Sequence, residues 1–63
     1  MLELIGAQTQ TKYYIMPQFV SSFHEAKDGG VYIFTNRVKS GTTVTYHVQE
    51  SIEEILMLME LYS

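Results

Sequence analysis

The 63-residue sequence contains no cysteine, which excludes a disulfide framework and a thiolate metal site. The two histidines, His24 and His47, have no Asp, Glu or His partner at a metal-ligand spacing, so we expect neither a metal nor a cofactor. A single domain of this size, residues 1–63, buries a low fraction of its surface and usually needs additional support. With disulfides and metals excluded, the sequence favours assembly as a homo-oligomer.

Positive charge and long apolar runs are also scarce. Four Lys and Arg residues stand against seven Asp and Glu residues, which gives a formal net charge of -3. A general nucleic-acid-binding protein needs a basic face, so we do not expect DNA or RNA as the main partner. No segment approaches the ~20 apolar residues of a membrane helix, and the N-terminus lacks the features of a signal peptide. We therefore expect a cytoplasmic protein without a membrane partner, which agrees with the absence of cysteine.

Short segments of alternating or branched residues, separated by turn residues, predict an antiparallel sheet. Pro17 ends the second segment because proline cannot donate to a strand ladder. The sequence Lys-Asp-Gly-Gly at 27–30 predicts a tight turn, because Asp-Gly and Gly-Gly tolerate positive φ. The predicted strands are residues 2–5, 11–16, 19–26, 31–35 and 42–48. The predicted fold class is α+β, an antiparallel β-meander of four or five strands with one C-terminal helix packed on a sheet face.

The hydrophobic period changes after residue 49, and residues 50–63, "ESIEEILMLMELYS", predict a helix. Ser51 and Glu54 have the spacing of a capping box, in which each side chain accepts from the other residue's backbone amide. Glu50 and Glu53 also stand at the positive end of the helix dipole. We interpret these acids as structural rather than as a carboxylate active site.

The helix is predicted to carry apolar residues on two faces. Met57 and Leu61 lie opposite the face that should pack on the sheet, and Leu58 lies on the flank. Scattered apolar residues are common on surfaces, but three on one short helix favour a second buried contact. Residues 31–34 are apolar on both faces of their strand, and one helix covers one face only. We therefore predict Met57, Leu58 and Leu61 as an oligomer interface. The stripe predicted to pack on the sheet is Ile52, Ile55, Leu56, Met59 and Tyr62.

This order of elements resembles the FlbD-type flagellar and swarming-motility proteins, in which a terminal strand runs into a glutamate-serine capped helix. "MLELI" at the start and "VYIFTN" in the middle are weaker matches. The family has a tight Asn-Gly hairpin after the middle strand, whereas Asn36 is followed here by "RVKSG". The resemblance implies the fold and a role in protein–protein interaction, and it implies no catalytic residue. The matching residues are Tyr46, Val48, Glu50, Ser51, Ile52, Glu53, Glu54 and Ile55.

Catalytic patterns are absent from the sequence. There is no G-x-S-x-G elbow and no evident Ser/His/Asp set. His24 stands beside Glu25 and could act as a base with an orienting acid, but half-exposed packing is the commoner role for a histidine on a strand, given how many groups a real site must align. We therefore expect a protein that is not an enzyme.

The stretch "FTNRVKSGTT", residues 34–43, holds two of the four cations, Arg37 and Lys39. It lacks the residue order of a phosphate-binding P-loop. In one interpretation it is a plain hairpin connection, in which Asn36 and Gly41 take unusual backbone angles and the cations stay solvated. In the other it binds a small anion, because arginine offers a bidentate fork for phosphate or carboxylate. The predicted ligand-binding residues are Asn36, Arg37, Lys39, Ser40, Thr42 and Thr43.

Two functions follow from these features. The first is a non-enzymatic, homo-oligomeric binding module that sequesters a small anionic ligand such as a nucleotide signal, a design that suits a phage or another mobile element. Four of the five tyrosines, at 13, 14, 32 and 46, could then offer stacking faces to a base, although core packing is their commoner role. The second is an interaction factor of the FlbD type that supports motility and binds a large protein partner through the outer face of its helix.

Overall fold

The computed structural model describes residues 1–62 and shows an α+β fold, as predicted. Two antiparallel sheets, one of two strands and one of three, are followed by one C-terminal helix. The end of the predicted helix, Ser63, lies outside the described residues. The elements in chain order are β1 (Leu2–Ile5), β2 (Lys12–Ile15), a 3₁₀ turn (Pro17–Phe19), β3 (Val20–Glu25), β4 (Val31–Lys39), β5 (Thr42–Val48) and α1 (Ile52–Leu61).

The strands divide over two sheets, β1–β2 and β3–β4–β5, rather than forming one continuous meander. The sheets meet at a single antiparallel bridge between Gly6 and Val48. The amide of Gln49 adds a 2.8 Å hydrogen bond to the carbonyl oxygen of Ile5. The end of β1 therefore lies beside β5, at the edge of the three-stranded sheet, for only a few residues. The chain then turns into β2.

The turn between β3 and β4 requires glycine at Gly30. Its φ is +77°, in the region that L side chains rarely adopt, and a Cβ atom there would overlap the carbonyl oxygen of Val48. The amide of Ala26 donates to the carbonyl of Gly30 at 3.1 Å and closes the turn. The predicted turn at 27–30 is thus confirmed, and the close approach of Gly30 to the Val48 backbone is a second reason for glycine there.

The core lies where both sheets and the helix meet. Strand alternation places Val31 and Ile33 on the core face of β4 and Tyr32 and Phe34 on the opposite face. Burial of this small apolar set is the main favourable contribution to folding. The buried apolar residues are Leu2, Leu4, Ile15, Val31, Ile33, Val48 and Ile55.

The predicted capping box of α1 is confirmed. The Ser51 hydroxyl accepts from the Glu54 amide at 3.2 Å, and the Glu54 carboxylate accepts from the Ser51 amide at 3.4 Å. These two bonds satisfy donors that the first helical turn leaves without an intrahelical partner. They fix the start of α1 at Ile52, and residues 49–51 join it to the end of β5.

The predicted inner face of α1 is only partly correct. Ile55 is buried, whereas Leu56 is 53% exposed and Tyr62 is 47% exposed. Leu58 packs against the core instead of lying on the outer flank. At 3.6 residues per turn Leu58 lies about 60° from Ile55 around the axis, and Leu56 lies about 100° away on the other side. The buried face is therefore rotated toward Leu58, and Tyr62 lies past the last helical residue.

Candidate functional site

The stretch predicted to connect β4 and β5 is mostly strand. β4 does not end at residue 35 but continues to Lys39, and the turn itself consists of Ser40 and Gly41. Their φ angles are +53° and +78°, as in the two-residue turns that match the right-handed twist of a hairpin. Asn36 does not take a positive φ, so the predicted role of Asn36 in the turn is wrong. Ser40 occupies that position instead.

A β-bulge lies in the middle of the same stretch. Phe34 pairs with Thr45 and Val38 pairs with Thr43, so three residues of β4 stand opposite Val44 alone. Extra residues of this kind bend a strand and increase its twist.

Thr35 fills this bulge and is the one buried polar residue of the described chain, with 3% of its surface exposed. Its hydroxyl donates to the carbonyl oxygen of Val44 at 2.7 Å and accepts from the amide of Arg37 at 3.4 Å. The side chain thus replaces ladder bonds that the bulge removes. Thr35 could not be selected from the sequence, because a threonine inside an apolar strand gives no separate signal.

The two polar residues after Thr35 contact the 3₁₀ turn at Pro17–Phe19. The Arg37 guanidinium lies 5.4 Å from the centroid of the Phe19 ring, a distance at which the cation is attracted to the ring face. The Asn36 amide nitrogen lies 3.5 Å from the carbonyl oxygen of Gln18. Arg37 is therefore positioned by an aromatic contact rather than by an acidic partner.

The lysine and arginine side chains of the described residues differ in whether a carboxylate lies close enough to pair with them. Lys12 forms a 2.9 Å ion pair with Glu3 across the β1–β2 ladder. The hydrogen bond to Glu3 and its negative charge raise the pKa of Lys12 above its ordinary value. Within residues 1–62, neither Arg37 nor Lys39 has a carboxylate at ion-pair distance. The hairpin therefore carries positive charge that remains open to an outside anion.

The six predicted ligand-binding residues lie together on the exposed hairpin. Lys39 pairs with Thr42 across the ladder, and Thr43 pairs with Val38, which is 67% exposed. Strand alternation puts Lys39 and Thr42 on one face and Val38 and Thr43 on the other. The site is thus a projecting ribbon rather than an enclosed cavity. The residues concerned are Asn36, Arg37, Lys39, Ser40, Thr42 and Thr43.

A cleft of about 350 Å³ lies elsewhere, between β1 and the end of α1, and Leu58 and Tyr62 line one of its sides. The Glu50 carboxylate lines it too and accepts from the amide of Ile5 at 3.1 and 3.2 Å. This bond satisfies a backbone donor of β1 that has no strand partner at that point. Glu50 is therefore primarily a structural link between β1 and the helix.

The two histidines lie on the outer face of the three-stranded sheet, on either side of Tyr32. The His47 ring stacks on Tyr32 with centroids 4.3 Å apart, and its Nε2 lies 3.1 Å from the Gly29 carbonyl oxygen. The His24 ring lies 5.7 Å from Tyr32. Because adjacent residues of a strand point to opposite faces, His24 and Glu25 do not face one another. The structure therefore does not bring His24 into the base–acid arrangement considered from the sequence.

The four tyrosines at 13, 14, 32 and 46 do not form a platform for a nucleobase. Tyr13 and Tyr46 contact each other at 4.7 Å between ring centroids and pack against the core. One face of Tyr32 is covered by His47. Tyr14 is 61% exposed but lies on the other sheet. A ligand at the hairpin would meet charge and hydrogen-bond donors rather than exposed aromatic faces.

A second exposed surface lies on the helix, opposite the core. Met57 and Leu61 are 66% and 69% exposed and line a shallow depression together with Glu60. Glu53 lies one turn before Met57 on the same side. We call these four residues the outer helix face. It combines an apolar centre with an acidic border.

No family model, curated protein or solved structure matches this chain. Among the described residues, no helix is long and apolar enough to cross a membrane. Residues 1–62 also contain no group of three His, Cys, Asp or Glu side chains that could hold a metal ion.

Proposed function

We propose that this protein is a non-enzymatic binding module that acts in the cytoplasm as a small homo-oligomer and holds a small anionic ligand on the β4–β5 hairpin. One observation carries the proposal: Arg37 and Lys39 are exposed, and no carboxylate of residues 1–62 neutralises either of them. They stand two residues apart on one strand, which is roughly 7 Å. A phosphate or carboxylate group between them would contact both.

The geometry of the hairpin favours binding in two ways. Arg37 is already held over the Phe19 ring, so less side-chain freedom is lost when an anion binds. The planar guanidinium can also form two parallel hydrogen bonds with one phosphate or carboxylate. A module that binds without turnover acts by sequestration, and a nucleotide signal is a ligand of suitable charge.

The test is a thermal-shift screen against nucleotides, cyclic nucleotides and sugar phosphates, followed by calorimetry on each hit. A ligand that binds the native state raises the melting temperature by mass action. Changing Arg37 and Lys39 together to Ser should weaken binding by about two to four orders of magnitude, because each charge-assisted hydrogen bond contributes roughly 1.5–3 kcal/mol.

Lys27→Ser is the matched control, because Lys27 is an exposed cation in the turn between β3 and β4. It should leave binding unchanged. If no anion shifts the melting temperature of the wild type, or if a hit binds the double variant as tightly, the hairpin is a plain connection and the proposal fails.

Self-assembly is supported by the small core and the exposed outer helix face. Seven buried apolar side chains within residues 1–62 are a limited core, and Met57 and Leu61 are more than half exposed on one face. Light scattering at micromolar concentration should give a mass well above 7.3 kDa. Glu at both Met57 and Leu61 should lower that mass, since a buried unpaired charge is strongly unfavourable. A wild type that is monomeric under these conditions would contradict self-assembly.

A second candidate is an interaction factor of the FlbD type that binds a large protein in motility. The observation that favours it is the same exposed pair, Met57 and Leu61, because an apolar helix face can dock in a groove of another protein. This candidate predicts that the change to Glu at both positions abolishes partner binding, while Ser at Arg37 and Lys39 leaves it intact. The ligand proposal predicts that anion binding depends on Arg37 and Lys39.

A further inference from the structure

Strand β1 has backbone groups at one edge that no strand of the described residues pairs with. The amide of Ile5 donates to the Glu50 carboxylate, so it points away from β2. Backbone groups two residues apart on a strand point the same way, and the amide and carbonyl of Glu3 therefore point to the same edge as those of Ile5. Within the described chain β1 has β2 as its strand partner, and the other edge forms a single isolated bridge at Gly6. The position beside Glu3 is consequently open to a further strand.

The cleft of about 350 Å³ lies along this open edge. Met1, Glu3 and Ile5 line one of its sides, and Leu58 and Tyr62, at the end of α1, line the other. An extended chain rises roughly 13 Å over the four steps from residue 1 to residue 5, so the cleft is long enough for a segment of about three extended residues. Its volume is also within the range of roughly 300–1,000 Å³ that is usual for ligand sites.

The charged side chains of the cleft favour a basic group. Glu3 and Glu50 both line it, and its one basic side chain, Lys12, is already paired with Glu3. Within residues 1–62 the Glu50 carboxylate forms no ion pair. In an added strand, the residue directly opposite Glu3 has its side chain on the same face of the sheet as the Glu3 side chain. A lysine or arginine at that position would offset the excess negative charge of the cleft.

We propose that the cleft binds an extended peptide segment of another protein, which adds a strand to the open edge of β1 and places a basic residue opposite Glu3. The amide and carbonyl of that residue form hydrogen bonds with those of Glu3, as in other cases of strand addition to a sheet edge. The two neighbouring peptide residues point to the opposite face, the face of Leu2 and Leu4, where Leu58 packs against the core and favours apolar side chains. The residues involved are not those of the hairpin, and peptide binding does not require a bound anion.

The probe is the blocked peptide acetyl-Thr-Val-Lys-Val-Thr-amide, titrated into the full chain and followed by NMR. Binding should be saturable and should slow hydrogen exchange of the Glu3 amide at least ~10-fold, because a strand partner protects it. The Leu4 amide points to β2 and serves as the internal control, with no change expected. Methylation of the lysine amide nitrogen removes one strand hydrogen bond and should weaken binding at least ~5-fold. Glutamate in place of the lysine should weaken it by roughly 2- to 5-fold, the size of a partly exposed ion pair.

Variants of the chain test the two walls of the cleft separately. Glu50→Gln keeps an oxygen that can accept from the Ile5 amide and removes the charge, so it should weaken binding of the lysine peptide by roughly 2- to 5-fold and leave the glutamate peptide no weaker. Tyr62→Ala should weaken binding of both peptides, because the ring lines the cleft. Leu61→Ala is its matched control, since Leu61 lies on the outer helix face, and it should have no effect.

Three results would overturn strand addition at this cleft. One is a Glu3 amide whose exchange does not change at saturating peptide. Another is binding of acetyl-lysine-amide as tight as that of the pentapeptide, because the cleft would then recognise a cation without a strand. The third is slow exchange of the Glu3 amide in the protein alone, because a second copy would then already occupy the edge. Changing Arg37 and Lys39 together to Ser should leave peptide binding intact, so loss of anion binding at the hairpin and loss of peptide binding are separate outcomes.

Discussion

Replacing Thr35 by Val tests whether the bulge that carries Arg37 depends on one buried hydroxyl. Valine keeps the shape of threonine and removes the hydroxyl that donates to the Val44 carbonyl at 2.7 Å. The carbonyl oxygen then lacks that partner in a site where the side chain is only 3% exposed. An unsatisfied buried acceptor costs about 1–3 kcal/mol, so we expect Thr35→Val to destabilise the protein by about 1–2 kcal/mol.

That loss is large for this chain. Native stability of 0.05–0.15 kcal/mol per residue corresponds to roughly 3–9 kcal/mol for a domain of this length. At 4–8 °C per kcal/mol, the melting temperature should fall by roughly 5–15 °C. Chemical and thermal unfolding followed by circular dichroism measures both quantities.

Two controls separate the hydroxyl from packing. Thr35→Ser keeps the hydroxyl and loses one methyl group, so it should lose only about 0.8 kcal/mol. Thr45→Val changes an exposed threonine of β5 and should stay within about 0.5 kcal/mol of the wild type.

Hydrogen exchange gives a local measurement of the same bond. The amide of Arg37 donates to the Thr35 hydroxyl at 3.4 Å and should exchange faster in Thr35→Val but not in Thr35→Ser. A valine variant as stable as the wild type, with unchanged exchange at Arg37, would refute the assigned role of the hydroxyl.

Three further changes follow from the described contacts. Ser51→Ala removes the cap seen at the start of α1 and should cost ~1 kcal/mol, whereas Ser51→Asn should retain most of it, as thermal unfolding would show. Ile55→Ala removes a buried side chain and should cost about 2–5 kcal/mol in denaturant titration, while Leu56→Ala, at a position that is 53% exposed, should cost far less. The ion pair with Glu3 raises the pKa of Lys12. The small stabilisation of the folded protein by this pair is therefore complete at neutral pH and is lost as the pH rises through the raised pKa of Lys12. The difference in melting temperature between the wild type and Lys12→Met should vanish at high pH, and a difference that grows there would contradict the pairing.

The fold class and the helix start could be predicted because they depend on local patterns. Strand segments follow from alternation and turn residues, and the capping box follows from two residues three positions apart. The rotation of α1 could not be read in the same way. Leu56 and Leu58 are equivalent in hydrophobicity, and the choice between them depends on where the two sheets meet the helix, which is a tertiary property.

The length of β4 is a second feature that could not be predicted from the sequence. Positions 36–39 are polar or charged apart from Val38 and looked like a connection, yet they continue β4 because the bulge at Thr35 resets the pairing with β5. A β-bulge adds residues on one strand only, so it is invisible to an alternation pattern. The candidate residues at 36–43 lie on one hairpin, but the contact of Arg37 with Phe19 joins segments that are separate in the sequence.

The bulge also changes how the cations of the hairpin should be understood. In a solvated loop, Arg37 and Lys39 would each have to be ordered by a binding partner, with the loss of conformational freedom that this entails. Here Lys39 is held in the strand ladder opposite Thr42, and Arg37 is tied by its amide to Thr35 and by its guanidinium to Phe19. A guanidinium that is already held in this way loses less conformational freedom when a small anion binds than one on a solvated loop.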